Sequence, residues 1–243
     1  MTTMNRKFML SAALLGLFST GCDDEVIYID PVYARADAQE VIAISLSYGS
    51  YGLVANVNQA SNEIKEIADC GEVYQNSDSF HAENPVGYWS YDYQYEEEYL
   101  RLCDGDQAVD YNLTADEKFE AARTSYDHTI SVDFKISGLA DESNDEIYNG
   151  VYTRTGNWDA IYYDNNYSFT FESRVADTHV SKESHKIESG TVTFTLVQNY
   201  GNSNLDYVYE GTVEFLNEDE AKVVFDDGST FTVDLHHVAI SRN

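Results

Sequence analysis

The chain has 243 residues, of which 43 are acidic and 14 basic, a formal net charge of −29, 14% aromatic residues and three cysteines. A field this negative repels nucleic acid and anionic lipid head groups, and it attracts cationic proteins, cationic peptides and divalent metal ions. The aromatic content excludes a disordered polyelectrolyte, which leaves an acidic binding surface or a solubilising one, screened where salt is high.

The N-terminus reads "MNRKFMLSAALLGLFSTGC": Arg6 and Lys7, an apolar run from Phe8 to Phe18, then small residues before Cys22. This pattern predicts a secretory signal peptide over 1–21. The run is shorter than the roughly 18–20 apolar residues a membrane-spanning helix takes. Removing 1–21 takes two basic residues and no acid, leaving 222 residues with a net charge of −31. That length suits one large all-β domain or two small ones.

Gly21 and Cys22 resemble the lipobox of bacterial lipoproteins, in which a small residue precedes a cysteine that is diacylated and becomes the new N-terminus. Ser19 stands where that motif usually has Leu. Ser19 and Gly21 also satisfy the small-x-small rule of ordinary secretory cleavage, which would release a soluble protein. The resemblance implies lipidation of Cys22 and a place in the bacterial cell envelope. Asp23 sits where enteric bacteria read an inner-membrane retention signal, but other bacteria sort differently, so inner and outer membrane both stay open. An acylated Cys22 leaves Cys70 and Cys103 as a disulfide pair, in keeping with the rarity of odd thiols in exported proteins.

Residues 22–32 read as a tether. From 33 to 69 breakers are few, and Ala34, Ala38, Val41, Ile42, Ser45, Tyr48, Gly52, Leu53 and Val57 recur at helical spacing. Gly49 and Gly52 in "SYGSYG" predict a kink or a break into two helices. Close packing of this face against a sheet is expected, with a movable lid as the other use.

From about Gly87 the period becomes two. In "SYDHTISVDFKISG" Tyr126, His128, Ile130, Val132, Phe134 and Ile136 share one face, with Asp127, Thr129, Ser131, Asp133 and Lys135 on the other. The alternation recurs in "YSFTF", "TVTFTL", "YVYEGTVEF", "AKVVF" and "TFTVDL", with turn signals at "SG" 138, "NG" 149, "DNN" 164, "SG" 189, "GNSN" 201, "NED" 217 and "DDG" 226. Roughly eight to ten strands in this order make a mainly β fold. The expected architecture is an antiparallel meander forming a β-barrel or curved half-barrel, with the N-terminal helix packed on or in it. Residues 70–243 form the β domain, packed with the helix as one unit. Polar alternate faces argue against a membrane-spanning barrel.

"YWSYDYQYEEEYLRLC", residues 88–103, puts Trp89, Tyr91, Tyr93 and Tyr95 on one face. These four are the ligand-binding candidates: a phenol has an apolar body and a polar tip, which suits a wall that is dry at its base and wet at its edge. A sheet core reaching water is the structural alternative. The apolar phase then switches to Leu100 and Leu102, so "EEE" at 96–98 predicts a hairpin turn or a bulge.

Catalytic and nucleotide signatures are absent: no Gly-rich phosphate loop, no "HExxH", no "GxSxG" and no C-x-x-C. No cofactor is expected. His179, His185, His236 and His237 do not promise the three or four convergent ligands zinc needs. Asp104, Asp106 and Asp110 in "DGDQAVD" are weak calcium candidates that depart from EF-hand spacing, and solvated turn residues explain them equally. The leading expectation is a lipid-anchored, exported, non-enzymatic binding protein holding a hydrophobic ligand or an exported partner. Its plan is similar, at the level of fold alone, to the lipoprotein carriers and receptors of outer-membrane sorting. The alternatives are an acidic inhibitor or partner-binding protein that neutralises a basic enzyme or peptide, and an envelope hydrolase.

Overall fold

The period-two run at 126–136 makes up nearly all of the fourth of the eleven strands found among the described residues. The computed structural model describes residues 31–67, 70–103, 108–122, 124–140, 142–160, 165–201, 206–236 and 239–242. The signal-peptide and lipid-anchor expectations, with Cys22, fall outside these residues, as do Asp104, Asp106 and His237. Two helices, α1 (Pro31–Leu46) and α2 (Leu53–Glu63), precede β1 (Val73–Glu83), β2 (Trp89–Arg101), β3 (Val109–Ala121), β4 (Ser125–Ser137), β5 (Asp145–Ala160), β6 (Asn165–Ser181), β7 (Ile187–Tyr200), β8 (Asp206–Phe215), β9 (Glu220–Phe225), β10 (Thr230–Asp234) and β11 (Ala239–Arg242). Each strand pairs antiparallel with its sequence neighbours, and the sheet order is β1 to β11. Among the described residues β1 pairs only with β2 and β11 only with β10, so the sheet is an open, curved half-barrel.

Alternation explains which face is buried. On β3 Val109, Tyr111, Leu113 and Ala115 point inward, and on β4 Ile130, Val132, Phe134 and Ile136 do so, while Thr129, Ser131, Asp133 and Lys135 are exposed. Burying each large apolar side chain contributes about 1.5–3 kcal/mol. The break predicted at "SYGSYG" is present: α1 stops at Leu46, Tyr48–Ser50 make one 3-10 turn, Tyr51 adopts a left-handed conformation, and α2 begins at Leu53. Residues 41–47 are buried on every side, so the end of α1 is enclosed by the half-barrel and not merely laid on it. Tyr48, expected on the packed face, is instead half-exposed.

Three local expectations are corrected. Glu96–Glu98 run straight through β2 with register to β1 and β3 unbroken, so "EEE" is neither turn nor bulge. Asn149 and Gly150 lie inside β5 at a register shift against β6. Gly150 has φ 151°, and a Cβ there would stand 2.0 Å from Asp133 O, so glycine serves a bulge here and not a hairpin. Ser189 and Gly190 lie within β7, opposite an irregular stretch of β6.

Cys70 and Cys103 form a disulfide with their Cα atoms 5.2 Å apart, tying the segment after α2 to the end of β2. Among the described residues no helix is long and apolar enough to cross a bilayer.

Candidate functional site

Strand register decides which rings meet. Tyr91 on β2 stands opposite Phe119 on β3, and the row continues through Tyr126 on β4, Trp158 on β5, Tyr167 on β6 and Tyr200 on β7. Directly opposed residues share a face, so six aromatic side chains form one row across six strands. Ring centroids lie 5.2 Å apart for Phe119 and Tyr126, 5.3 Å for Tyr126 and Trp158, and 5.2 Å for Tyr167 and Tyr200. Tyr167 and Tyr200 are buried, whereas Tyr91, Phe119, Tyr126 and Trp158 keep part of their surface in water. Trp89, two residues from Tyr91 on the same face, is 38% exposed.

The next row inward is polar. Tyr93 stands opposite Glu117, Glu117 opposite His128, and His128 opposite Gly156. A Cβ on Gly156 would come within 2.5 Å of His128 Cδ2, so glycine makes the room the imidazole occupies. His128 stacks on Tyr126 at 4.4 Å and meets Phe169 edge-on at 5.0 Å.

Glu117 gathers the surrounding donors. Arg154 Nη2 donates to its Oε2 at 2.6 Å, Tyr91 and Tyr126 hydroxyls donate to Oε1 at 3.1 and 3.2 Å, and His128 Nδ1 stands 3.5 Å from Oε2. Arg154 also donates to Ile44 O at 2.9 Å and Ser50 O at 2.6 Å. The carboxylate on the sheet thus anchors a guanidinium that holds the end of α1 and the turn after it. Burial alone would raise the Glu117 carboxyl, but the Arg154 charge and then His128 and Tyr91 hold it below the ordinary value. Burial lowers the His128 pKa, and the nearby Arg154 charge adds to this against the pull of Glu117. Burial, then the Glu117 charge, pushes the phenols of Tyr91 and Tyr126 up. These hydroxyls stay protonated and act as donors.

The four sequence candidates divide by depth. Tyr93 is core, 4% exposed and stacked on Tyr51 at 3.9 Å. Tyr91 belongs to the wetter part of the row, Trp89 to its rim. Tyr95 lies deeper along β2, half-buried, with Asn76 donating to its hydroxyl at 3.3 Å. Asp110 sits in β3 between Leu100 and Lys135, and no group of three His, Cys, Asp or Glu able to hold a metal occurs among the described residues. Phe119, Trp158, Glu117 and Arg154 were not singled out from sequence. Arg154 had a signal: in "YTRTGNW" it shares the inward phase of Tyr152.

Two further pairs bear on catalysis. Glu97, 3% exposed, accepts from Gln59, Asn76, Tyr99 and Tyr111 at 2.9–3.3 Å. Its neighbour Glu63 is raised to about 7 by burial first, then by the Glu97 charge and a hydrogen bond with it. Ser61 Oγ lies 2.8 Å from His185 Nδ1, and Lys65 Nζ lies 3.0 Å from His185 Nε2. A lysine ammonium can only donate, so Nε2 accepts and Nδ1–H points at the serine. His185 is therefore no base toward Ser61, which is itself 0% exposed. Ser61 is thus no reachable nucleophile.

No protein-family model, curated protein or solved structure matches the chain.

Proposed function

We propose that the protein is a lipid-anchored, exported binding protein of the bacterial cell envelope that holds a flat or apolar group against the aromatic row. The observation that carries this is the unfinished burial of Tyr91, Phe119, Tyr126 and Trp158 on a face whose other large side chains are mostly sealed. Rings left half-wet in a continuous row offer apolar area at low ordering cost, with hydroxyls positioned by Glu117. The N-terminal residues and the cysteine count support export and anchoring at Cys22.

Both tryptophans of the chain, Trp89 and Trp158, lie on this face, so intrinsic fluorescence reads the site directly. Titration with a long-chain fatty acid, a naphthylamine dye and an aryl glycoside is expected to give a saturable change with at least one of them. Trp158→Ala should abolish binding while leaving a cooperative melt. Binding retained in that variant, or no saturable response to any of the three, would sink the reading.

A further inference from the structure

β1 has an unused hydrogen-bonding side. Asn84 N–H donates to Trp89 O at 2.9 Å and Arg101 N–H donates to Glu72 O at 3.2 Å, which fixes the phase of the ladder. Even-numbered residues of β1 face β2, and Val73, Gln75, Ser77, Ser79, His81 and Glu83 turn their N–H and C=O groups outward. Among the described residues nothing pairs with that edge. The strand is 11 residues long, exposed almost throughout, and free of the lysine, proline or bulge that ordinarily blunts an edge. Val73, Tyr74 and Phe80 remain exposed along it.

One guard is present. The Asp78 carboxylate accepts from Ser79 N–H at 2.7 Å, capping one of the outward donors. Asp78 is also the central residue of β1, so two copies paired antiparallel in the fullest register would set Asp78 against Asp78. Like charges directly opposed are destabilising, which disfavours a second copy of this chain. A cationic strand meets the opposite condition. From Glu72 to Arg101 the hairpin has seven carboxylates and one basic residue, Arg101, at the end away from its turn.

We propose that the β1 edge receives an extended, lysine- or arginine-bearing polypeptide segment as an added strand, with Asp78 as its ionic anchor. The incoming cation draws the Asp78 carboxylate away from Ser79 N–H and frees that donor for the new ladder. Main-chain bonds then supply affinity, and the acidic hairpin supplies selectivity for basic partners. This edge adjoins the aromatic row, since the Phe80 ring lies 6.3 Å from that of Tyr91, and Ser79→Pro and Trp158→Ala test the two apart.

The full chain is titrated with a capped synthetic peptide alternating lysine and threonine, as long as β1. Two comparison peptides are used: a glutamate–threonine counterpart, and the lysine peptide N-methylated on every residue so that neither of its edges can donate. Saturable binding of the first is expected, with both comparison peptides at least about tenfold weaker. Ser79→Pro, which removes an outward N–H and no bond to β2, should weaken binding similarly. Asp78→Ala should weaken peptide binding and lower the concentration at which the protein self-associates. Equal binding of the parent peptide and its N-methylated form would mean charge attraction without strand addition and would overturn the proposal. A wild-type dimer dissociated by Ser79→Pro would assign the edge to a second copy, with the same result.

Discussion

Glu117 and Arg154, 37 positions apart in the chain, meet at 2.6 Å between Oε2 and Nη2 with both side chains sealed from water. The pair joins two layers, because the remaining guanidinium bonds go to Ile44 O and Ser50 O. Removing one partner leaves a buried charge alone, so Arg154→Met should cost about 3–5 kcal/mol. Adding Glu117→Gln should recover part of that loss. Urea unfolding of both singles and the double gives the coupling; strictly additive losses would mean that the ion pair is not a unit.

Depth along β2 separates two tyrosines. Tyr93→Ala should cost about 3–5 kcal/mol as a large-to-small core change, given its stacking on Tyr51. Tyr91→Phe keeps the ring and removes one donor from Glu117, so a loss of about 0.5–1.5 kcal/mol is expected. Ligand binding to Tyr91→Phe should stay within a few-fold unless the ligand itself takes the hydroxyl. Denaturant melts and the fluorescence titration measure the two effects separately.

Glu63 gives a pH dependence of definite sign. Its carboxyl is raised to about 7 in the fold from an ordinary 4.5, so the folded state keeps a proton that the unfolded chain releases. Stability from this group is therefore lost as pH rises from about 4.5 through 7. With solvent screening of a half-exposed group, the loss is about 1–2 kcal/mol. Glu63→Gln should flatten this part of the profile and be more stable than wild type at pH 8. Parallel profiles for the two proteins would show that the raised carboxyl is not the cause.

The bridge between Cys70 and Cys103 closes a separation of 33 residues. By the chain-entropy account Cys103→Ser should cost about 3.5–4 kcal/mol. Thiol titration of the denatured, unreduced protein should find no thiol if Cys22 is acylated, and one equivalent if it is free.

On the anchor, Cys22→Ser should move the protein from the membrane fraction to the soluble one. Fractionation and immunoblotting decide it, and an unchanged distribution would remove the lipoprotein reading.

Some of this was legible in residue order and some was not, for physical reasons. The alternation at Tyr126–Ile136 gave β4 almost to its ends, because one of its faces is dry and the other wet. β1 was missed because an edge strand exposed on both faces has no alternation to read. Gly150 misled because bulges and hairpin turns ask the same backbone freedom of glycine. "EEE" misled because Glu97 is a buried carboxylate held by four donors, three of them distant in sequence. The aromatic row could not be seen at all: Tyr91, Phe119 and Trp158 align only through register, which pairings across the sheet determine.

The meander has a consequence for the order of assembly. Hairpins between sequence neighbours close at small loop cost and can form one after another. The end of α1 is held to the sheet from far along the chain, since just after it Ser47 Oγ donates to Asp234 O and Tyr48 N–H donates to Leu235 O. The first element made is thus among the last to be covered. Its apolar second half is covered only in part by β5 to β7 until the final hairpins arrive, and over that interval the nascent protein is most exposed to proteases and to aggregation.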